Sequence, residues 1–338
     1  MTGMLGHARE HGGPDAAGVP RHDFSSNANA CGPCPLTLAA LQQADAAHYP
    51  DPRYTDLRAA LARFHGVAVE RVVLAASGSE FIQRITAAVL RCGGRTVNLP
   101  AQAYGDYAQA AQAWQLDEAE ADRAALVWCC DPSSPLGQSQ QGLAARVDAL
   151  ADGAVGVLDL AYEPLRLQGR LGLTAAQGDR LWQLWTPNKA LGLTGVRAAY
   201  AIAPAHPAAD AEVLKAVQAL APSWPLGAHG VALLQSWVAP ATQAWLAASR
   251  DTLRAWKLRQ IALCEYVLGW ACEPSEANFF CARPAAAEVP ALAAHLRRHG
   301  IKLRDTASFG LPGRVRLAAL PPAAQDALHA AMNSRDVS

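Results

Sequence analysis

The chain has 338 residues, of which 51% are hydrophobic, and its 29 basic and 29 acidic side chains give a formal net charge of +0. This length allows two domains, or one large α/β domain with an appendage. A balanced charge leaves no electrostatic footprint for nucleic acid or for an acidic membrane surface, so we expect a small-molecule substrate and neither of those partners.

The sequence also bears on compartment and metal binding. No apolar run approaches the roughly 20 residues that cross a bilayer, and the opening MTGMLGHAREHGGPD lacks a signal-peptide apolar core, so we expect a cytoplasmic protein. Cys31-Gly-Pro-Cys34 follows a polar loop and not a strand, which favours coincidence over a thioredoxin-like redox site. The other cysteines are scattered without paired metal-ligand spacing, so we expect no metal.

The first two thirds of the chain alternate strands and helices. Residues 1–35 are rich in Gly, Pro and Asn and predict an N-terminal arm. Thr55 is the expected N-cap of the second helix. Strands are predicted at 71–75, 96–99, 124–130, 154–160, 180–185 and 198–203, and helices at 35–47, 55–64, 80–90, 104–114 and 141–150. This alternation predicts an α/β fold whose mainly parallel sheet is covered by helices, with ligands at the carboxyl ends of the strands.

The pattern changes after residue 206. Longer helices are predicted at 208–220, about 227–264, 289–298 and 322–332, with short strands at 279–282, 302–304 and 315–318. We therefore expect an arm at 1–35, a large domain at 36–225 and a smaller α+β domain at 226–338.

One candidate nucleophile stands out in the stretch WTPNKALGLTGVR, from Trp185 to Arg197. Lys189 follows turn-forming residues and precedes small apolar ones, a poor site for a solvated ammonium and a suitable one for a Schiff-base amine. An ordinary surface lysine in a loop is the alternative.

Three further features fall at predicted strand ends. The Ser-Gly-Ser turn at 77–79 begins a helix, where backbone N–H groups and hydroxyls bind anions or simply cap the helix. Asp159 ends a strand with Tyr162 three residues on, either as functional groups or as a cap and a core side chain. Tyr104 supplies an aromatic ring for stacking or for core packing. An amine, an anion cradle, a carboxylate, a phenol and a ring together match what pyridoxal phosphate (PLP) requires.

Six motifs follow one another along the chain, and their order resembles that of a known family. They are DFSSNANACGPCP (23–35), HYPDPRYTDLR (48–58), DPSSPLG (131–137), DLAY (159–162), TPNKALGLTGVR (186–197) and RDTASFGLPGRVRLA (304–318). They are similar to the N-x-N-x-x-G-P, Y-P-D-P, N-P-N-N-P-T-G, D-E-A-Y, S-x-S-K-x-F-G-L-x-G-x-R and closing arginine segments of fold type I PLP enzymes. Within the class I/II aminotransferase superfamily, the chain resembles the branch of histidinol-phosphate aminotransferases and threonine-phosphate decarboxylases.

This resemblance implies roles for individual residues. Lys189 would form the Schiff base and move the proton at the substrate α-carbon, and Asp159 would keep the pyridine nitrogen protonated. Tyr162 would bond the ring hydroxyl, as would Ser134, which stands where the family has asparagine. The remaining implied contacts are a ring stack by Tyr104, phosphate binding by Ser77, Gly78, Ser79, Thr186 and Arg197 and by Tyr49 of the second subunit of a homodimer, and substrate binding by Arg316 and Asn29.

The reaction is less determined than the cofactor. Tyr162 favours the aminotransferase branch, whereas HGGP at 11–14, together with DFSSNAN, resembles the decarboxylase branch. We expect an aminotransferase acting on an amino acid or a phosphorylated derivative, with decarboxylation of L-threonine O-3-phosphate as the alternative. A non-catalytic binding module is a third possibility, against which Lys189, Asp159 and Arg197 argue together. Arg21, Arg304 and Arg314 are candidates for binding a substrate phosphate, but each is expected rather to be a surface or salt-bridge arginine.

Overall fold

The computed structural model describes residues 11–205, 207–285 and 288–334, without the side chains of residues 207–210. The strands are β1 (His22–Asp23), β2 (Val72–Ala75), β3 (Thr96–Asn98), β4 (Asp117–Glu118), β5 (Leu126–Cys130), β6 (Val155–Asp159), β7 (Trp182–Trp185), β8 (Ala199–Ile202), β9 (Ala271–Cys272), β10 (Phe279–Arg283), β11 (Ile301–Lys302), β12 (Arg304–Asp305) and β13 (Val315–Ala318). The helices are α1 (Pro35–Gln42), α2 (Thr55–His65), α3 (Gly78–Arg91), α4 (Gly105–Ala113), α5 (Leu143–Asp148), α6 (Ala175–Gly178), α7 (Pro207–Ala219), α8 (Ala228–Trp237), α9 (Pro240–Ala262), α10 (Val289–Arg298) and α11 (Pro322–Asn333). Among the helices of these ranges, none is long and apolar enough to cross a membrane.

A seven-stranded sheet forms the centre of the fold, in the order β2-β8-β7-β6-β5-β3-β4. The pairs from β7 through β6, β5 and β3 to β4 are parallel, and β8 runs antiparallel to both of its neighbours. Strands β5 and β6 are buried along their whole length. This confirms the predicted mainly parallel α/β fold.

Helices cover both faces of this sheet because successive strand residues point to opposite sides. In β2, Val73 packs with Phe81 of α3 and Val217 of α7, while Leu74 packs with Leu57 of α2 and Leu234 of α8. Each face therefore has its own apolar core, as the predicted alternation of strands and helices requires.

A second, four-stranded antiparallel sheet, in the order β12-β13-β10-β9, lies in the C-terminal part of the chain. The N-terminal segment joins this part, because β1 pairs in parallel with β11, with His22 opposite Ile301. Phe24 is buried in the same core as Leu317 of β13. The N-terminal segment of the described chain is thus bound to the C-terminal part by strand pairing and by apolar packing.

Two sequence predictions about helices are wrong. Thr55 is the first residue of α2 and not its cap: its N–H donates to the Asp51 carboxylate at 2.8 Å, and the N-cap Tyr54 has a left-handed backbone with φ 48°. The helix expected over 227–264 is two helices, because Pro240 starts a new one and its neighbour Ala239 has the extended backbone that a following proline imposes.

The expected domain boundary at residue 226 falls within a continuous core. Leu233 and Leu234 of α8, and Leu246 and Leu253 of α9, are buried with the helices of the large sheet. We therefore propose that the division between the two parts of the chain lies within α9.

Arg166 ties the two parts together. Its guanidinium, 7% exposed, bonds Asp131 and Glu163 of the large sheet's loops and Glu276, which precedes β10. The backbone follows the same path, since the Leu167 N–H donates to the Glu276 carbonyl at 2.6 Å. One buried cation thus neutralises carboxylates on both sides of the junction.

We expect Arg166→Ala to lower the free energy of unfolding by about 3–5 kcal/mol, because it leaves the buried Asp131 carboxylate without its counter-ion. Urea unfolding followed by circular dichroism measures this change. Arg180→Ala is the matched control, since its contact with Asp148 spans 3.9 Å between side chains 40% and 62% exposed and such pairs contribute about 0–1 kcal/mol. Equal effects of the two substitutions would contradict the role given to Arg166.

Candidate active site

Asp159 is the buried carboxylate at the centre of the site. It ends β6, is 6% exposed, and lies between β5 and β7 in the middle of the sheet. Its Oδ1 accepts from the Ala161 N–H at 2.9 Å, and its Oδ2 accepts from the Tyr107 hydroxyl at 2.6 Å. Burial raises the pKa of the Asp159 carboxyl above its ordinary value, while these two bonds and the charge of Lys189 oppose that rise.

Lys189 lies in the turns that follow β7, and its charge acts on this carboxylate. Its Nζ is 4.9 Å from the centroid of the Tyr162 ring, and its side chain is partly exposed. The backbone around it is held from two sides, because its carbonyl accepts from the Asn29 N–H at 2.9 Å and from the Gly192 N–H at 3.1 Å. The amine is therefore positioned on a fixed loop within reach of solvent and ligand.

The predicted anion cradle is present at the start of α3. Ser77 caps this helix, its hydroxyl accepting from the Glu80 N–H at 3.1 Å, and the N-terminal N–H groups of α3 begin at Gly78. A β-carbon on Gly78 would lie 2.9 Å from the Thr186 methyl, so only glycine allows this approach. The Thr186 hydroxyl is buried and has no hydrogen-bond partner in the part of the chain that the structure describes. A buried hydroxyl without a partner, on a residue that packs against the N-terminus of a helix, fits a bound anion.

Two further predicted residues lie at the same sheet edge. The Ser79 hydroxyl is 3.4 Å from the hydroxyl of Tyr104, which precedes α4. Arg197 is exposed. Ala199 of β8 pairs with Ala75 of the antiparallel strand β2, so Arg197 and Ser77 each lie two residues beyond this pair, at the same end. The position of Arg197 fits the predicted cradle, whereas its side chain makes no part of the buried wall.

Tyr162 joins the carboxylate side of the site to the C-terminal sheet. Its ring packs edge-on against Phe279 of β10 at 4.7 Å, and its hydroxyl is 3.4 Å from Nδ2 of Asn27. Ser134, 5% exposed, lies in the loop after β5, where the Asp131 N–H bonds the Asp159 carbonyl at 3.2 Å. The structure thus brings the Asp159, Tyr162 and Ser134 segments to one end of β5 and β6.

A buried arginine forms the far wall. Arg316 of β13 is 6% exposed and donates to the Ser25 carbonyl at 2.9 Å, while its Nε has no partner among the described residues. Arg304 pairs with it across β12 and β13, and the Phe309 ring lies 4.9 Å from one guanidinium and 5.7 Å from the other. Arg304 is 3% exposed, so the expectation of a surface residue is wrong.

The structure places Asn29 differently from the prediction that it binds substrate. Its Nδ2 donates to the Ala190 carbonyl and to the Ser249 hydroxyl, both at 2.9 Å, and its Oδ1 accepts from the Cys31 N–H at 3.0 Å. The residue is 2% exposed. Its amide is therefore committed to holding the loop that carries Lys189.

Two residues beside the site, Asn27 and Tyr107, were not predicted from the sequence. Asn27, two residues before Asn29, is fully buried with a left-handed backbone (φ 57°), and its Oδ1 lacks a partner within the described ranges. Tyr107 of α4 is the donor to Asp159, and its ring lies 5.9 Å from that of Tyr104, three residues earlier at the start of the helix. That spacing was the available signal.

Tyr49 lies apart from these groups. It is 78% exposed and stacks on Trp224 at 4.5 Å, so within one chain it does not reach the Lys189 loop's buried groups.

Comparison with known proteins gives a consistent result. A family model described as aminotransferase class I and II matches residues 22–332. The histidinol-phosphate aminotransferase of Jannaschia sp. (strain CCS1) is 29% identical over 320 residues, covering 87% of this chain and 85% of that protein.

Solved structures share the fold. The histidinol-phosphate aminotransferase from Sinorhizobium meliloti, in complex with pyridoxal-5'-phosphate, superposes with a TM-score of 0.75 at 22% identity and covers 94% of this chain and 92% of its own. The L-threonine-O-3-phosphate decarboxylase from Porphyromonas gingivalis gives a TM-score of 0.75 at 19% identity, covering 88% of this chain and 94% of its own. Because both reactions occur on this fold, the fold alone does not choose between them.

We expect Asn29→Ala to lower the free energy of unfolding by about 1–3 kcal/mol, because the buried Ala190 carbonyl and Cys31 N–H lose their partner. Asn333→Ala, at an exposed position, is the control and should stay within about 0.5 kcal/mol of the unsubstituted protein in urea unfolding. Unchanged stability with a raised KM would instead show Asn29 to be a substrate ligand.

Proposed function

The chain belongs to the aminotransferase class I and II family, as the match over residues 22–332 shows, and we propose that it is a PLP-dependent aminotransferase acting on an amino acid or a phosphorylated derivative. The observation that carries this proposal is the placement of the Lys189 amine 4.9 Å from the ring of Tyr162, which follows the buried Asp159 by three residues at the carboxyl end of the central sheet. Ligands of such sheets bind at this end.

The residues present fit PLP. The unpaired Thr186 hydroxyl, the close approach at Gly78 and the N-terminus of α3 suit its phosphate, with Ser77, Ser79 and Arg197 at the same edge. Asp159 would face the ring nitrogen, and Tyr162 and Ser134 the ring hydroxyl. Tyr104 would cover one face of the ring. When bound, PLP supplies an aldehyde that condenses with amines and a ring that accepts the electrons released at the substrate α-carbon.

The protein's own groups then divide the work. Lys189 would hold the cofactor and would move the proton at the substrate α-carbon. Its loop is fixed by Asn29, which keeps the amine in place for both roles. Burial raises the pKa of Asp159, and the bonds that Tyr107 and Ala161 donate to it oppose this rise and favour its ionised form.

Arg316 would bind the anionic group of the substrate. A buried guanidinium with one unused N–H, backed by the rings of Phe279 and Phe309, offers a directed charge for a carboxylate or phosphate. Arg304 adds a second positive charge across the strand pair. This supports a substrate with a carboxylate or a phosphate group near the reacting amine.

We also propose that the active form is a homodimer. Tyr49 and Trp224 are 78% and 41% exposed and form a stacked pair, and Leu36 of α1 is 48% exposed. Such an apolar surface suits contact with a second copy, and Tyr49 would then reach the partner's phosphate site.

We further propose that the protein is cytoplasmic. Its eight cysteines are free thiols, and thiols stay reduced in the cytoplasm.

Decarboxylation of L-threonine O-3-phosphate is the second candidate, on the resemblance of HGGP at 11–14 to that branch. The segment that resembles that branch lies against the loop that holds Arg316: the Gly13 N–H donates to the Ser25 hydroxyl at 2.8 Å, and a β-carbon on Gly12 would lie 2.1 Å from the Ser25 carbonyl oxygen. This carbonyl is the one that Arg316 bonds. The N-terminal segment therefore shapes the substrate wall in either reaction.

We expect the purified protein to be yellow with bound PLP, and Lys189→Ala to lose that colour and to slow amine exchange by at least about a hundredfold. Visible absorbance and glutamate formation measure both effects. Lys215→Ala is the control, because its side chain is 71% exposed and pairs with Glu212 on the surface. A protein that takes up no PLP would overturn the proposed function.

We expect the protein to transfer the amine of L-histidinol phosphate or a related amino compound to 2-oxoglutarate, and Arg316→Met to lower kcat/KM by about 10- to 100-fold while the colour is retained. Arg298→Met, at an exposed position of α10, is the control. Carbon dioxide released from L-threonine phosphate without a keto acid would replace the aminotransferase by the decarboxylase.

A further inference from the structure

The contact between Tyr107 and Asp159 connects a helix to the centre of the sheet. Tyr107 lies in α4 and is fully buried, and its hydroxyl donates to Asp159 Oδ2 over 2.6 Å. The other carboxylate oxygen, Oδ1, accepts from the Ala161 N–H. Because both oxygens are bonded, the plane of the carboxylate is fixed, and each oxygen keeps a further lone pair for a ligand.

The hydroxyl is itself held in place by packing. The Tyr107 ring stacks on Trp128 of β5, with centroids 4.3 Å apart and an angle of 11° between the planes. On the other side it meets the Tyr104 ring edge-on at 5.9 Å. Trp128 is also fully buried. The phenol therefore has one position available, and in it the oxygen points at Asp159.

The direction of the bond is fixed as well. Burial and the neighbouring Asp159 charge raise the pKa of Tyr107 well above its ordinary value, so the phenol keeps its proton and acts as the donor. For Asp159 the same bond opposes the effect of burial. Without it, the carboxylate would bind a proton more readily and would withdraw it from any basic ligand atom alongside.

We propose that Tyr107 is a positioning residue for the cofactor ring. Its hydroxyl holds Asp159 ionised and oriented, so that the proton between Asp159 and the pyridine nitrogen stays on the nitrogen. This inference rests on the proposed PLP function. It gives the start of α4 two tasks, since Tyr104, which precedes the helix, would cover the ring while Tyr107 would act on the nitrogen through Asp159. Tyr107 itself does not touch the cofactor.

The test compares two cofactors on the full chain. Wild type and Tyr107→Phe, which keeps the ring stack, are each freed of cofactor and titrated with PLP and with an analogue that carries C–H in place of the ring nitrogen. The dissociation constants are read from the absorbance of the bound cofactor. We expect Tyr107→Phe to weaken PLP binding about 10- to 100-fold, the loss of one charge-assisted hydrogen bond, and to leave binding of the analogue unchanged within about twofold.

Trp128→Phe is the matched control, because it disturbs the packing under the Tyr107 ring but retains the hydroxyl. It should change the affinity for both cofactors by the same factor. Equal losses with both cofactors in Tyr107→Phe would show a packing role, and no loss with PLP would show no role; either result overturns the inference. Wild-type protein that binds neither cofactor would instead overturn the proposed function.

Discussion

The burial of the Asp159 carboxylate is the constraint on which the rest of the site depends. It lies at the end of a strand with neighbours on both sides, where water cannot solvate its charge. An unpaired charge there would be costly. The Ala161 N–H, the Tyr107 hydroxyl and the charge of Lys189 compensate that cost, and a protonated ring nitrogen would complete the set. The ionised carboxylate therefore depends on these neighbouring groups, and their positions define where a cofactor fits.

The elements that meet at this point come from the whole length of the chain. Asn29 in the N-terminal segment fixes the Lys189 loop, and Phe279 of the C-terminal sheet packs on Tyr162. Arg166 neutralises acidic groups on both sides of the junction between the two parts. A site assembled this way is stable only when both sheets and the N-terminal segment are in place.

The sequence was sufficient for the fold class, because strand and helix periods are local. It also predicted Asp159, Tyr162 and Lys189 as site residues from their order along the chain. It could not show which polar side chains bond other protein groups and which face a ligand. Asn29 was predicted to bind substrate, although its amide bonds Ser249, and the bond from Tyr107 to Asp159 was not predicted. Desolvation alone would also have misled, since burial lowers the pKa of Lys257 to about 8, yet two carbonyls hold its amine.

The most direct test of the central claim is to find which lysine binds the cofactor. The chain has four lysines, and two of them, Lys189 and Lys257, are chemically plausible imine formers. Borohydride reduction of the protein with PLP bound, followed by peptide mass mapping, shows which lysine carries the cofactor. The structure predicts one pyridoxyl group, on Lys189. A pyridoxyl group on Lys257 or on another lysine, or no labelled peptide at all, would contradict the site built around Asp159.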